Sequence, residues 1–200
     1  MTRDLAALAD QLLSAAQSAG SEAADALVVD GSSVSIDVRA GALEEAQRAE
    51  GIDLGLRVLI GHRQACVSAS DTAPHVIAEM AERAVAMARE APEDPHIGLA
   101  DPDQLAVQRT AEGLDLEDPS PDPDPAELEA QARAAEAAAQ AVSGVTQVES
   151  ASSGYGRRRV FMAASNGFAG GYGRTSHSLS CVAISGTGLE MERDYDSTRA

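Results

Sequence analysis

The sequence predicts an α+β protein with antiparallel or mixed sheets, built as two helix-plus-hairpin units. Two observations carry this expectation. A segment with helical spacing followed by a run of strand-like segments occurs twice, and no crossover helix separates the strands within either run. A third feature, an acidic proline-rich stretch between the two runs, sets the division.

The first unit opens with a helix expected over residues 3–18. Leu5, Leu8 and Leu12 recur at helical spacing, and Gly20 supplies the stop. Five strand-like runs follow: ALVVD, SVSIDVR, LEEAQRAE, IDLGLRVLI and QACVSAS. Turns are expected at Asp30-Gly31, Gly41, Gly51 and Gly61-His62, because glycine and Asp-Gly pairs punctuate strands at hairpin spacing. A second helix is expected near Thr72, with Asp71 or Thr72 as its cap and Pro74 in its first turn. Its apolar stripe would be Val76, Ile77, Met80, Ala84, Met87 and Ala88.

The stretch from Glu90 to Glu129 holds thirteen acidic residues against a single arginine, Arg109. Seven of the eight prolines lie there. Its core, DPSPDPDP over residues 118–125, excludes helix and central strand, since each proline removes an amide donor and restricts the residue before it. It reads as an extended acidic connector, with an acidic recognition segment as the alternative, and divides the chain into residues 1–117, a linker at 118–125, and residues 126–200.

The second unit starts with an Ala-rich helix expected over residues 125–142 and ended by Gly144. The strand-like runs VTQVESASS, RRRVFMAAS, FAGGYGRTSHSLSCVAIS and LEMERDY follow. Turns are expected at Gly154-Tyr155-Gly156, Asn166-Gly167 and Gly186-Thr187-Gly188. The shared plan suggests an internal duplication, although the two halves share few letters.

Composition limits function. The 200 residues carry a net charge of −17, and all fifteen bases are arginine. A field of that sign repels phosphate backbones, so direct nucleic-acid binding is not expected. No apolar run is long enough to span a bilayer, and Asp4 and Asp10 interrupt the N-terminal segment in a way a signal peptide does not. A cytoplasmic location is the expectation. Cys66 and Cys181 lie in apolar runs and are expected as buried reduced thiols.

The chemistry-bearing residues are sparse. The four histidines, His62, His75, His96 and His177, are scattered. His75 and Glu79 fall four apart on one helix face, but two ligands without a third seldom hold zinc. His177 stands between Ser176 and Ser178 with no acidic partner in sequence reach, so neither a triad nor an independent hydrolase using His177 or a thiol is supported. GFAGGYG, residues 167–173, matches neither nucleotide-binding glycine pattern and reads as a bulge or a place of close backbone approach within a curved sheet. Arg157, Arg158 and Arg159 form the basic cluster, expected on a solvated strand edge, with contact to an acidic peptide or partner as the alternative.

The order SNGF, GGY, SHSLS and MERDYD in the last third resembles the TldD/PmbA family, within it the PmbA (TldE) branch. The likeness extends over nearly the whole chain: the Gly-Ser-Glu-Ala-Ala-Asp-Ala turn after the first helix, GIDLGLRVLIGHRQACVSASD, AREAPEDPHIGLADPDQLA and GLDLEDPS. Many relatives carry an asparagine where this chain has Ala164, so any polar role of that residue is absent here or passes to Asn166.

The resemblance implies an assembly of two subunits acting as a metallopeptidase. Catalytic members carry HExxxH with a downstream cysteine, and this chain has no such motif. It further implies that a C-terminal domain follows in the family, so that this sequence corresponds to an N-terminal portion. On that basis no catalytic, cofactor-binding or metal-binding residue is assigned. The expected partner is a TldD-like metallopeptidase subunit carrying zinc. The expected role is to help enclose an unfolded peptide, such as a modified peptide antibiotic or an antitoxin. The alternative is a self-contained peptide- or protein-binding regulatory module.

Overall fold

The computed structural model describes residues 4–200, so the expected helix start at Arg3 lies outside the described residues. The elements run α1 (Leu5–Ala19), β1 (Ala23–Arg39), β2 (Ala42–Ile60), β3 (Arg63–Ala69), α2 (Pro74–Glu90), α3 (Pro125–Gln140), β4 (Val145–Ala164), β5 (Ala169–Ser185) and β6 (Glu192–Arg199). Short 3-10 turns occupy Pro102–Gln104 and Gly188–Glu190. The strands form a sheet in the order β3-β2-β1-β4-β5-β6. The α+β expectation holds.

The strands are longer than the sequence suggested. ALVVD and SVSIDVR are one strand, β1, because Gly31 takes no left-handed φ and the Asp30 carboxylate is held by Arg159 at 2.6 Å instead of closing a turn. LEEAQRAE and IDLGLRVLI likewise merge into β2 through Gly51. Gly154 and Gly156 lie inside β4 rather than in a turn. A Cβ at Gly154 would stand 3.0 Å from Ser178 Oγ and 3.4 Å from the Val34 carbonyl, so glycine serves close packing there. The LEMERDY run splits into the second 3-10 turn and β6. True turns remain at Ala40-Gly41, with φ of 51° and 72°, and at Gly61, Gly167 and Gly186, all left-handed.

The helix boundaries follow elementary capping. Asp4 Oδ1 accepts from the Ala7 N–H at 3.0 Å, and Gly20 closes α1 in the left-handed region. The N-cap of α2 is Ala73 rather than Asp71 or Thr72. The Asp71 side chain instead accepts from the Ala73 N–H at 2.8 Å, and Pro74 supplies the preset φ of the first turn. Asp124 and Glu127 form a capping box at the start of α3.

Two compact units are present, and they are not consecutive segments. One comprises residues 1–31, 51–116 and 158–173, the other residues 32–50, 117–157 and 174–200. Strands β1, β2, β4 and β5 contribute residues to both. In the first unit, α1 and α2 lay Leu5, Leu12, Ile77, Met80 and Val85 against Val28, Leu54, Leu56 and Val58. The α2 stripe includes Ala81 and Val85, while the expected Met87 is 48% exposed. In the second unit, Leu128 and Ala132 of α3 pack on Ile36, Val38 and Tyr155.

Candidate functional site

The SNGF turn between β4 and β5 joins separate segments of the first unit. Its Ser165 N–H donates to the Ala24 carbonyl at 2.8 Å, and the Ala24 N–H donates to Ser165 Oγ at 3.0 Å. Asn166 accepts from the Phe168 N–H at 3.2 Å, and its amide Nδ2 donates to the Ala100 carbonyl at 2.9 Å. Ala164, at the head of the turn, is buried and brings no polar side chain to it. Asn166 ties down the loop after α2.

Arg109 docks on the same turn. Its Nη1 donates to the Gly167 carbonyl at 3.0 Å, and its guanidinium lies 5.6 Å from the centre of the Phe168 ring. Thr110 bridges Gly171 in parallel, with the Gly171 N–H donating to the Arg109 carbonyl at 3.1 Å. The paired glycines of GFAGGYG make this possible. A Cβ at Gly171 would sit 2.4 Å from the Val160 carbonyl, and one at Gly170 would sit 2.6 Å from the Arg109 carbonyl. Of the two expectations for these glycines, a bulge or a close backbone approach, the distances show close approach.

In the second unit the acidic connector is bound rather than free. Arg157 donates to Glu117 at 2.7 Å and to Asp122 at 3.0 Å, and reaches the carbonyls of Asp118 and Ser120. The Tyr155 hydroxyl donates to the same Asp122 oxygen at 2.8 Å, and the Asp118 N–H donates to Thr175 Oγ1 at 2.8 Å. The Tyr155 hydroxyl, then Arg157, hold the Asp122 carboxyl below the usual aspartate range; burial pushes the Tyr155 phenol up. The Ser120 N–H does the same for Asp118, with His177 and Arg157 adding to it.

The arginine triplet therefore corrects the expectation of a solvated edge. Strand β4 lies between β1 and β5, Arg157 and Arg159 are paired with acids, and only Arg158 is exposed. His177 packs its ring 4.8 Å from that of Tyr155 at a tilt of 58°. His62, His75 and His96 are exposed. Cys66 is exposed as well, contrary to the expectation of burial, because it lies on β3 opposite Arg57, whereas its neighbour Ala65 faces the helices. Burial, and then the Glu136 charge, push the half-buried Cys181 thiol up.

Among the described residues no three His, Cys, Asp or Glu side chains gather as a metal would require. His75 and Glu79 are exposed on α2. The described residues offer no ligand set that fits a catalytic zinc.

Neither Arg109 nor Glu136 has a role that the sequence alone assigns. Arg109 had a signal, as the lone base in the acidic stretch. Glu136 is 2% exposed, with Oε2 accepting from the Gly41 N–H at 2.8 Å; its signal was its place in the Leu128, Ala132, Glu136 stripe of α3.

The geometry defines an α+β chain whose SNGF turn and glycine pair organise loops rather than reacting groups, within two sheet-and-helix units. Residues 24–88 match the model of PmbA/TldA metallopeptidase domain 1 and residues 118–199 that of the PmbA/TldA metallopeptidase central domain, so the chain belongs to the PmbA/TldD metallopeptidase family. It is 36% identical over 180 residues to Metalloprotease PmbA of Escherichia coli O157:H7, a match covering 89% of this chain and 39% of that protein. The chain thus spans well under half the length of its curated relative. Its fold is similar to that of a Bacteroides thetaiotaomicron protein described as a modulator of DNA gyrase, with a TM-score of 0.84 at 22% identity, covering 100% of this chain and 46% of that one. TldE from Thermococcus kodakarensis gives a TM-score of 0.77 at 14% identity, covering 96% of this chain and 42% of that one. No helix among the described residues is long and apolar enough to cross a membrane.

Proposed function

We propose that this chain is a non-catalytic, PmbA/TldE-like component of a TldD–TldE-type metallopeptidase complex. In this reading it pairs with a TldD-like subunit that carries the zinc, in the cytoplasm, and helps to enclose an unfolded peptide for processing. Modified peptide antibiotics and antitoxins are the substrate class. The observation that carries the reading is the 36% identity to Metalloprotease PmbA across 89% of this chain, in step with both family domains. The scattered histidines support assigning the chemistry to the partner.

Sheet edges supply a physical means of holding a peptide. Residues 42–50 of β2 and all of β6 are exposed, and β3 pairs with β2 only from Leu54 to Ile60. An extended chain added to such an edge is held by main-chain bonds, which suits a substrate range broad in side chains.

The test is co-purification of the chain with a TldD-like subunit, followed by metal analysis of each component. A stoichiometric partner bearing the metal, with none on this chain, is expected. Metal on this chain alone overturns the assignment. Absence of any partner favours a self-contained binding module.

A further inference from the structure

The docking of Arg109 on the SNGF turn supports an inference that rests on the peptide-holding role above and locates it. Strand β6 covers β5 from Ser178 to Ser185, and Ala200 extends the pairing to His177, so the cover stops short of Gly171. At Gly171 the edge of β5 is filled by the chain's own Arg109 and Thr110, through the parallel bridge and the Gly171 N–H bond to the Arg109 carbonyl. This segment is scarcely buried: Arg109 and Thr110 are exposed, and Val107 is 100% exposed. Gly170 takes no left-handed φ, and the atoms nearest a Cβ built there, at 2.6, 3.1 and 3.3 Å, all belong to Arg109. The glycine is needed by the docked segment, not by its own backbone. The docked side chain is also the one base among thirteen acids. It meets a ring face and a carbonyl, the groups that receive a cation.

We propose that the β5 edge at Gly170 and Gly171, with Phe168 and the Gly167 carbonyl as a cation subsite, docks an extended arginine-bearing peptide, and that Arg109–Thr110 is an internal segment such a peptide displaces. The tethered segment competes at an effective concentration on the order of millimolar, so the resting chain holds the edge closed.

The test uses a fluorescein-labelled peptide with the sequence of residues 105–114, LAVQRTAEGL, titrated against the full chain by anisotropy, alongside hydrogen exchange at the Gly171 amide. The wild type binds weakly. Arg109→Ala speeds exchange at Gly171 and binds the peptide roughly tenfold or more tightly, because the competitor is released. Adding Gly170→Ala to Arg109→Ala abolishes that gain, as does replacing the arginine of the peptide by alanine. Three results overturn the proposal: Gly171 protection unchanged in Arg109→Ala, exchange increased with no gain in binding, or a gain that survives either loss. Arg109→Gln is read the same way if the alanine variant does not fold. The measurement involves no metallopeptidase subunit, so its failure is separate from failure of the co-purification.

Discussion

Ser165 and Ala24, 141 residues apart, exchange two hydrogen bonds, one through the Ser165 main chain at 2.8 Å and one through its hydroxyl at 3.0 Å. The side-chain bond gives the first inward-facing residue of β1 an acceptor just where β4 ends. Ser165→Ala leaves the Ala24 N–H without that acceptor and is expected to cost about 1 kcal/mol. Denaturant unfolding of the variant, with an unchanged m-value, checks this.

Tyr155 and Asp122 give opposite limbs of a stability–pH curve. The Asp122 carboxylate is favoured by folding, so its contribution is complete above about pH 4 and fades as pH falls through the lower folded value. The neutral Tyr155 phenol is favoured by folding, so its contribution is complete below about pH 10 and fades as pH rises through the higher folded value. Tyr155→Phe should flatten both limbs and cost about 1 kcal/mol at neutral pH, measured by thermal unfolding across the range.

Arg157 and Arg158 should behave differently although they are adjacent. Arg157→Ala loses two carboxylates and two carbonyls, with an expected cost of about 1–2 kcal/mol because the partners are partly solvated. It also opens residues 117–122 to proteolysis. Arg158→Ala should stay within about 0.5 kcal/mol. Equal protease sensitivity of the two variants would show that Arg157 does not hold the connector.

The two thiols should alkylate in order. Exposed Cys66 reacts first, and Cys181 reacts appreciably only at higher pH because its thiol is pushed up. Glu136→Gln removes a charge that raises the Cys181 value, so its alkylation should begin at lower pH, read by mass spectrometry of timed iodoacetamide reactions. An unshifted Cys181 profile in this variant would rule out the coupling.

Much of the fold was legible in local chemistry. The three helices announced themselves through Leu5, Leu8 and Leu12, through Pro74, and through the Asp124 cap before Pro125, because helix signals lie within a turn or two of chain. The left-handed turns at Gly41, Gly61 and Gly167 were equally local. The candidate site was less so. Arg109 stood out as a lone base, but nothing near it in sequence pointed to Phe168, which lies 59 positions further along the chain.

What the sequence alone determined was the class of fold, the family and the lack of a metal motif, because periodicity, turn residues and motif spacing are written in short stretches. What only the tertiary structure decided was which glycines turn the chain and which charges are spent. Gly31, Gly51, Gly154 and Gly156 continue strands, and Asp30, Arg157 and Arg159 are paired through bonds spanning 35 to 129 residues. A glycine permits either a turn or a close approach, and an arginine either faces water or meets an acid. In both cases the neighbour that decides arrives from a distant part of the chain.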